Sequence, residues 1–158
     1  KIIRKYKLDE GIQLLNVLLG NMSVVGPRPN ILTETQMYTD EENKLLNIKP
    51  GITDFSSIVF SDEADILQDS NDPDLSYNQL IRPWKSRLGI IYIEYRSFFL
   101  DIQIIFYTLI ALIRKDIALN WIGEKLESFK SDRQIIDVSL RREKLYPFPP
   151  PGSNKIVQ

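Results

Sequence analysis

The segment SFFLDIQIIFYTLIALI, residues 97–113, is the most apolar stretch of the chain. A helix that spans a membrane needs roughly 20 mostly apolar residues, and this segment is shorter and carries Asp101 and Gln103. Cationic residues stand at both of its ends, with Arg96 before it and Arg114 after it. We therefore predict a helix packed into the core of the protein, with a helix lying on a membrane surface as the alternative.

The remaining sequence predicts a mainly helical fold around this segment. Apolar residues at helical spacing predict a first helix from about Asp9 to Leu19, which would pack with residues 97–113 at the centre of the fold. The sequence from Thr39 to Glu42 has the form of a capping box and predicts a short helix that ends near Asn47. The β-branched and aromatic stretch from Ile52 to Phe60 predicts an extended or hairpin element. Further helices are predicted over residues 62–68, 73–83, 84–95, 117–129 and 133–140.

The composition excludes several classes of chemistry. The chain has 158 residues, of which 43% are hydrophobic, and it contains neither Cys nor His. Thiol nucleophiles, Cys-based zinc sites and Ser-His-Asp triads are therefore impossible. Catalysis would have to use carboxylates, hydroxyls, Lys, Arg, Tyr or an oxygen-ligated metal. The formal net charge of −1 gives no electrostatic support for nucleic acid as a partner.

Two adjacent carboxylates, Asp9 and Glu10, stand at the start of the predicted first helix. The simplest interpretation is that Asp9 caps this helix and Glu10 complements its dipole. The functional alternative is that the pair holds Mg²⁺ and that one carboxylate attacks phosphorus, because a helix N-terminus also favours a phosphate group.

A second candidate site is the sequence VVGPRP, residues 24–29. Pro27 and Pro29 restrict the backbone on both sides of Arg28, whose planar guanidinium is suited to bidentate binding of phosphate. The alternative is a stiff connection with a solvated Arg. Arg4, just before the acidic pair, is either a second phosphate contact or a surface residue.

Five short motifs follow one another in a specific order and spacing. They are LDE at 8–10, QLLNVL at 13–18, MSVVGPRP at 22–29, PGIT at 50–53 and RSFFLDI at 96–102. Together they resemble the bacterial sugar transferase family, the monotopic polyprenyl-phosphate phosphoglycosyl transferases. The resemblance extends over roughly residues 2–115, and it divides the chain into a catalytic core (1–115), a helical extension (116–145) and a Pro-rich extended tail (146–158).

This resemblance implies both an activity and a location. Members transfer a sugar 1-phosphate from a nucleotide sugar, usually a UDP-sugar, to polyprenyl phosphate, and so initiate a capsule, an exopolysaccharide or an O-antigen. By this resemblance the fold is a compact, mainly α, membrane-surface fold with a small β element, located at the cytoplasmic face of the bacterial inner membrane. Association of this chain with a second copy of itself is a further possibility. No motif identifies the sugar.

The resemblance also implies a role for each candidate residue. Asp9 would be the nucleophile that forms a covalent phosphosugar intermediate, and Glu10 would support Mg²⁺ or the geometry of the pair. Arg28, between Pro27 and Pro29, would bind phosphate, and Arg4 would match a family Arg five residues before the nucleophile.

Three departures from the family pattern favour a different function. Gly11-Ile12 replaces the x-Pro pair that many members carry after the acidic pair, and Gly89 stands where many members carry an acid. The family's re-entrant membrane helix, which precedes the acidic pair, is expected to be missing from this chain. The alternative is therefore an inactive remnant, or a module that binds a nucleotide sugar or a partner without turnover. A generic helical membrane-surface protein is a third hypothesis.

Overall fold

A computed structural model of the protein describes residues 8–28 and 35–158, and for residues 8–12 it describes the backbone alone. The helices are α1 (Leu8–Leu18), α2 (Phe55–Val59), α3 (Glu63–Leu67), α4 (Pro73–Ser76), α5 (Arg82–Tyr95), α6 (Phe98–Ala111), α7 (Lys115–Ser128) and α8 (Arg133–Ser139), with a 3₁₀ helix at Glu42–Asn47 and a π-helical turn at Tyr77–Ile81. The strands are β1 (Ser23–Val25) and β2 (Gly51–Thr53). The prediction of a mainly helical fold with one small β element is confirmed.

The core lies where α2, α5, α7 and α8 pack together, with one side of α6 added to it. The aromatic rings of Phe55 and Tyr107 both contact Trp121, at centroid distances of 5.9 and 4.2 Å. The most completely buried apolar side chains are Phe55, Ile58, Val59, Ile81, Trp84, Leu88, Ile104, Ala118, Ile122 and Leu126. These residues come from elements between positions 55 and 126, so the core does not centre on α1.

Helix α6 has a buried side and a large exposed apolar side. Ser97 caps it by accepting a hydrogen bond from the backbone N–H of Leu100 at 3.2 Å. Leu100 and Ile104 are its only fully buried residues. By contrast Phe99 is 79% exposed and Phe106 is 58% exposed. The prediction of a core helix was therefore wrong for most of this segment, since apolar residues occupy all sides of the helix and the fold covers only one of them.

Helix α1 also leaves apolar residues uncovered. Its bounds agree with the predicted helix, and it ends before Gly20, which has a φ of +78°. The helix contacts β1 and β2. Its Leu14, Leu15 and Leu18 are each more than half exposed. The expectation that α1 packs at the centre of the fold was wrong.

Among the helices of residues 8–28 and 35–158, none combines the length and the hydropathy that spanning a bilayer requires.

The stretch from Ile52 to Phe60 is only partly extended. Strand β2 ends at Thr53, and α2 begins two residues later. Asp54 causes the change, because its carboxylate accepts a hydrogen bond from the Ser57 N–H at 2.7 Å and so caps α2. The local cap outweighs the β preference of the β-branched and aromatic residues that follow.

The Pro-rich tail forms no helix or strand, and it is packed against the rest of the protein. Phe148 stacks on Trp84 with ring centroids 4.5 Å apart. The Arg87 guanidinium donates a hydrogen bond to the carbonyl of Pro149 at 3.0 Å. The Thr39 hydroxyl donates to the carbonyl of Pro151 at 2.5 Å. The tail therefore connects α5 to the start of the 3₁₀ helix.

Candidate functional site

Two of the sequence motifs meet in the two-stranded sheet. Strands β1 and β2 are parallel, with Ser23 opposite Gly51 and Val25 opposite Thr53. Beyond the strands the backbones remain in contact, since the Gly26 N–H donates to the Thr53 carbonyl at 2.9 Å and the Gly51 N–H donates to the Pro27 carbonyl at 3.0 Å. A Cβ on Gly51 would lie 2.1 Å from the Gly26 nitrogen. Only glycine fits at this crossing, so the glycines of VVGPRP and PGIT are parts of one structure.

The crossing positions Pro27 and Arg28 beside a cavity of about 190 Å³. Pro27 is half-buried and Arg28 is exposed. Helix α5 contributes Arg82 and Lys85 to the lining of this cavity. The other lining residues are Thr35, Tyr38, Leu45, Leu46, Ile48, Pro50, Asp54, Ser56, Tyr77 and Ser86. Three cationic side chains therefore line this cavity, and it is the candidate functional site of the described structure.

A buried ion pair forms one side of the candidate site. The carboxylate of Glu42 accepts hydrogen bonds from Arg82 Nε at 3.0 Å and from Arg82 Nη2 at 2.5 Å. It also accepts from the Ser86 hydroxyl at 2.7 Å. The remaining guanidinium donors of Arg82 reach the Asn78 side chain at 3.1 Å and the Met37 carbonyl at 2.7 Å. Because the Glu42 carboxylate and the Arg82 guanidinium both have hydrogen-bond partners, the network fixes the 3₁₀ helix against α5.

The capping box was predicted from the sequence, and its geometry is confirmed. The Glu42 N–H donates to the Thr39 hydroxyl at 3.1 Å, and the Thr39 N–H donates to the Glu42 carboxylate at 3.1 Å. The same Glu42 carboxylate therefore serves both the cap and the ion pair. No local sequence pattern indicated that Arg82, forty positions later, is its partner.

Asp54 is a fully buried carboxylate at the base of the cavity. Burial raises its pKa above the ordinary value of 3.8, and hydrogen bonds from Ser57 and Ser56 and the charge of Lys85 act in the opposite direction. The Ser56 and Ser57 hydroxyls donate to it at 2.8 and 2.7 Å. Lys85 itself is paired with Glu63 at 2.5 Å. Sequence reasoning did not single out Asp54 or Lys85 as site residues.

Gly89 lies where α5 passes under the Pro27 loop. A Cβ at this position would lie 2.7 Å from Leu45 Cδ2 and 3.6 Å from Pro27 Cγ. A carboxylate at position 89 would therefore displace Leu45 from the cavity wall. The glycine that replaces an acid of the resembled family therefore lies where α5, the 3₁₀ helix and the Pro27 loop approach one another closely.

The remaining predicted site residues are only partly described. Asp9 and Glu10 lie in the first turn of α1, as predicted, and their side chains are outside the described structure. Arg4 and Pro29 lie outside the described residues. The structure thus brings Pro27 and Arg28 to the cavity, and the roles of all six residues remain predictions.

Two neighbouring carboxylates at a helix start fit the ligand preference of Mg²⁺, which is usually held by one or two carboxylates together with water and substrate phosphates. Asp9 and Glu10 provide that donor set. In the part of the chain whose side chains are described, no group of three or more acidic residues forms an alternative metal site. Mg²⁺ binding by Asp9 and Glu10 stays a prediction.

Comparison with known proteins gives the family. The sequence profile of the bacterial sugar transferase family matches residues 1–115, and the chain belongs to this family. It is 34% identical over 108 residues to the uncharacterized sugar transferase EpsL of Bacillus subtilis, which covers 68% of this chain and 46% of EpsL.

Two further relatives carry names that state an activity. The chain is 34% identical over 116 residues to the undecaprenyl-phosphate galactose phosphotransferase of Salmonella typhimurium, covering 73% of this chain and 21% of that protein. It is 35% identical over 113 residues to the UDP-glucose:undecaprenyl-phosphate glucose-1-phosphate transferase of Klebsiella pneumoniae, covering 68% of this chain and 22% of that protein. The chain thus spans less than half the length of these three relatives.

Proposed function

We propose that this chain is the catalytic part of a phosphoglycosyl transferase. It transfers a sugar 1-phosphate from a UDP-sugar to a polyprenyl phosphate and so begins a bacterial surface glycan. The observation that carries this proposal is the crossing at Gly26 and Gly51, which joins two family motifs and places exposed Arg28 in the lining of the cavity. The names of the relatives in Salmonella and Klebsiella support the same reaction class.

The proposed reaction has two displacement steps at phosphorus. In the first, a carboxylate oxygen of Asp9 attacks the β-phosphorus of the UDP-sugar, the bond to the bridging oxygen breaks, and UMP leaves with the electron pair. The product is a mixed anhydride between Asp9 and the sugar phosphate. In the second, a phosphate oxygen of the lipid attacks the same phosphorus, and the Asp9 carboxylate is released.

Glu10 and Asp9 would hold Mg²⁺, which when bound neutralises charge on the pyrophosphate. The position of both residues in the first turn of α1 adds free backbone N–H groups, which favour an anionic phosphate at that end of the helix. The chain's own contribution is therefore to bring a nucleophile, a second carboxylate and a helix N-terminus to the same phosphate.

Arg28 would bind the pyrophosphate of the donor. Its guanidinium offers two parallel donors to two phosphate oxygens, whereas a lysine offers a point charge. We expect Arg28→Lys to lower kcat/KM for the UDP-sugar by about tenfold to a hundredfold, which corresponds to roughly 1.4 to 3 kcal/mol. The matched control is Arg142→Lys, an exposed residue outside the cavity. An equal kcat/KM for Arg28→Lys and wild type would contradict a role for Arg28 in binding the pyrophosphate.

The exposed apolar side of α6 would meet a membrane, where the lipid substrate resides. A helix of 14 residues with cations at its ends is suited to lie along the interface. The undecaprenyl-phosphate named for the relatives is a long lipid that requires such a contact.

UMP release tests the proposed function directly. The chain, with detergent-dispersed undecaprenyl phosphate and Mg²⁺, should release UMP from at least one UDP-sugar of a panel that includes UDP-glucose and UDP-galactose. Asp9→Asn should abolish release, because an amide cannot act as the nucleophile. Asp72→Asn, which alters an N-cap aspartate of α4 outside the cavity, should leave release unchanged. Full release by Asp9→Asn would contradict the covalent route, and binding of a UDP-sugar without release would support the binding module instead.

A further inference from the structure

A second cavity, of about 520 Å³, lies next to the candidate site, and Ile48 lines both. It is formed by β1, by the residues just before β2 and by the start of α6. The residues that bear on its chemistry are Ser23, Lys49, Tyr92, Arg96, Phe98 and Asp101. None of them lines the first cavity.

The second cavity carries a net positive charge. Lys49 and Arg96 are both exposed, and in the described part of the chain neither forms an ion pair. Asp101 is the one carboxylate in the lining, and it accepts a hydrogen bond from the Tyr92 hydroxyl at 2.8 Å. Two cations thus face one carboxylate that is already engaged by Tyr92. An anion is the ligand that this arrangement favours.

The cavity opens onto the apolar side of α6. Phe98 lines the cavity and is 74% exposed, so it belongs to both features. From it an apolar row continues along the helix through Ile102, Phe106 and Leu109, and exposed Ile113 follows just beyond the end of the helix. Their spacing places them on one face. A ligand that fills both features must combine an anionic head with a long apolar chain.

Lys49 lies too far from Asp9 to contact the phosphate that reacts there. Lys49 Nζ lies 4.0 Å from the place that a Cβ on Gly20 would occupy, just beyond the C-terminal end of α1. Asp9 lies in the first turn of the same helix. With a rise of 1.5 Å per residue, the two ends are about 15 Å apart. The phosphate that Asp9 attacks, or that attacks the Asp9 adduct, cannot also contact Lys49.

We infer that the cavity binds the phosphate of an anionic membrane phospholipid through Lys49 and Arg96, while the acyl chain of that lipid lies along the apolar side of α6. The inference rests on the membrane contact proposed above and adds the lipid class that this contact selects. Such a site would fix which face of the protein meets the bilayer, and so would orient the candidate site above the surface.

Vesicle binding of this chain tests the inference. Sedimentation with vesicles of phosphatidylcholine alone is compared with sedimentation with phosphatidylcholine and phosphatidylglycerol at three to one. We expect tighter binding to the anionic vesicles, and a loss of about fivefold in that affinity for each of Lys49→Gln and Arg96→Gln. Binding to phosphatidylcholine alone should not change. Arg96→Lys keeps the charge and should retain most of the affinity.

The matched control is either single variant, Lys144→Gln or Arg142→Gln, each of which removes one positive charge from an exposed position outside this cavity. An equal loss in the control would show that only net charge matters and would overturn the inference. Equal binding of wild type to both vesicles would also overturn it while leaving the membrane contact intact. Binding to neither would overturn the inference and the membrane contact together, but not the transfer chemistry, which UMP release tests in detergent. Circular dichroism of each variant establishes that it is folded.

Discussion

Glu42 and Arg82 form a bidentate ion pair that the fold removes almost completely from water, with 0% and 1% of the side chains exposed. The pair joins the 3₁₀ helix to α5 across the wall of the candidate site. A buried ion pair contributes little net stability compared with apolar residues of the same size, whereas a single unpaired charge left in its place is costly. The pair therefore acts mainly by making one arrangement of the 3₁₀ helix and α5 more stable than the alternative arrangements.

This relationship predicts the effect of breaking the pair. Glu42→Gln should lower the free energy of unfolding by about 3 kcal/mol, because the Arg82 charge then stays buried with a neutral partner. The double variant Glu42→Gln, Arg82→Met should be less destabilised than the sum of the two single variants. Urea unfolding followed by circular dichroism measures both quantities.

An exposed ion pair serves as the control for that cycle. Arg133 lies 3.3 Å from Asp137, and its side chain is 65% exposed. Removing it with Arg133→Ala should change the unfolding free energy by less than about 1 kcal/mol. If the effects of the Glu42 and Arg82 substitutions on the free energy of unfolding were additive, the two residues would not be energetically coupled. The network would then not fix the 3₁₀ helix against α5.

The crossing of the two motifs predicts a second effect. Gly51→Ala should destabilise the protein by about 3 kcal/mol or more, because the new methyl group would overlap the Gly26 backbone, which cannot move without breaking the sheet. Thermal unfolding measures the loss. Asn47→Ala, an exposed substitution at the end of the 3₁₀ helix, should unfold close to the wild-type temperature. A Gly51→Ala variant as stable as Asn47→Ala would mean that the two backbones are not in contact.

The buried carboxyl of Asp54 predicts a dependence on pH. Burial raises its pKa, so the charged form is less favourable in the folded protein than in the unfolded chain. Its contribution to stability is therefore fully present below the ordinary pKa of 3.8 and declines as pH rises through the higher pKa of the folded state. The stability of Asp54→Asn relative to wild type should then increase as pH rises from 4 towards neutrality, where 4 is approximately the unfolded value.

Urea unfolding of both proteins across that pH range measures the difference, and the Asp62→Asn variant provides a contrast. Burial raises the pKa of Asp62, but ion pairs with Lys115 and Arg141 outweigh it and the net shift is downward. Relative to wild type, Asp62→Asn should therefore lose stability as pH rises from acid values. The same trend in both variants would contradict the raised pKa of Asp54.

Local signals predicted much of this structure, and contacts between distant residues account for what they missed. The capping box at Thr39 and the end of α1 at Gly20 each depend on a few neighbouring residues, and both were found from the sequence. The partnership of Glu42 with Arg82 depends on how α5 packs, which no local pattern encodes.

The apolar segment at residues 97–113 shows the same limit. Its composition predicted a helix and gave no information on which sides the fold would cover, so the expected core helix became a helix with one buried side. The tail was predicted to be extended from its prolines, but its packing depends on Trp84, more than sixty positions earlier. Pro27 and Arg28 were singled out from the sequence, and their role in a site stays a prediction. Asp54 and Lys85 line the same cavity only through the tertiary fold.

The most direct measurement of the central claim is the intact mass of the chain after incubation with Mg²⁺ and a UDP-sugar, without lipid acceptor. The account predicts an added mass of one sugar phosphate on wild type, no adduct on Asp9→Asn, and loss of the adduct when polyprenyl phosphate is supplied. An adduct of that mass would also identify the class of sugar that is transferred. An adduct that persists in Asp9→Asn, or turnover to lipid-linked sugar phosphate by that variant, would contradict the assignment of Asp9 as the nucleophile.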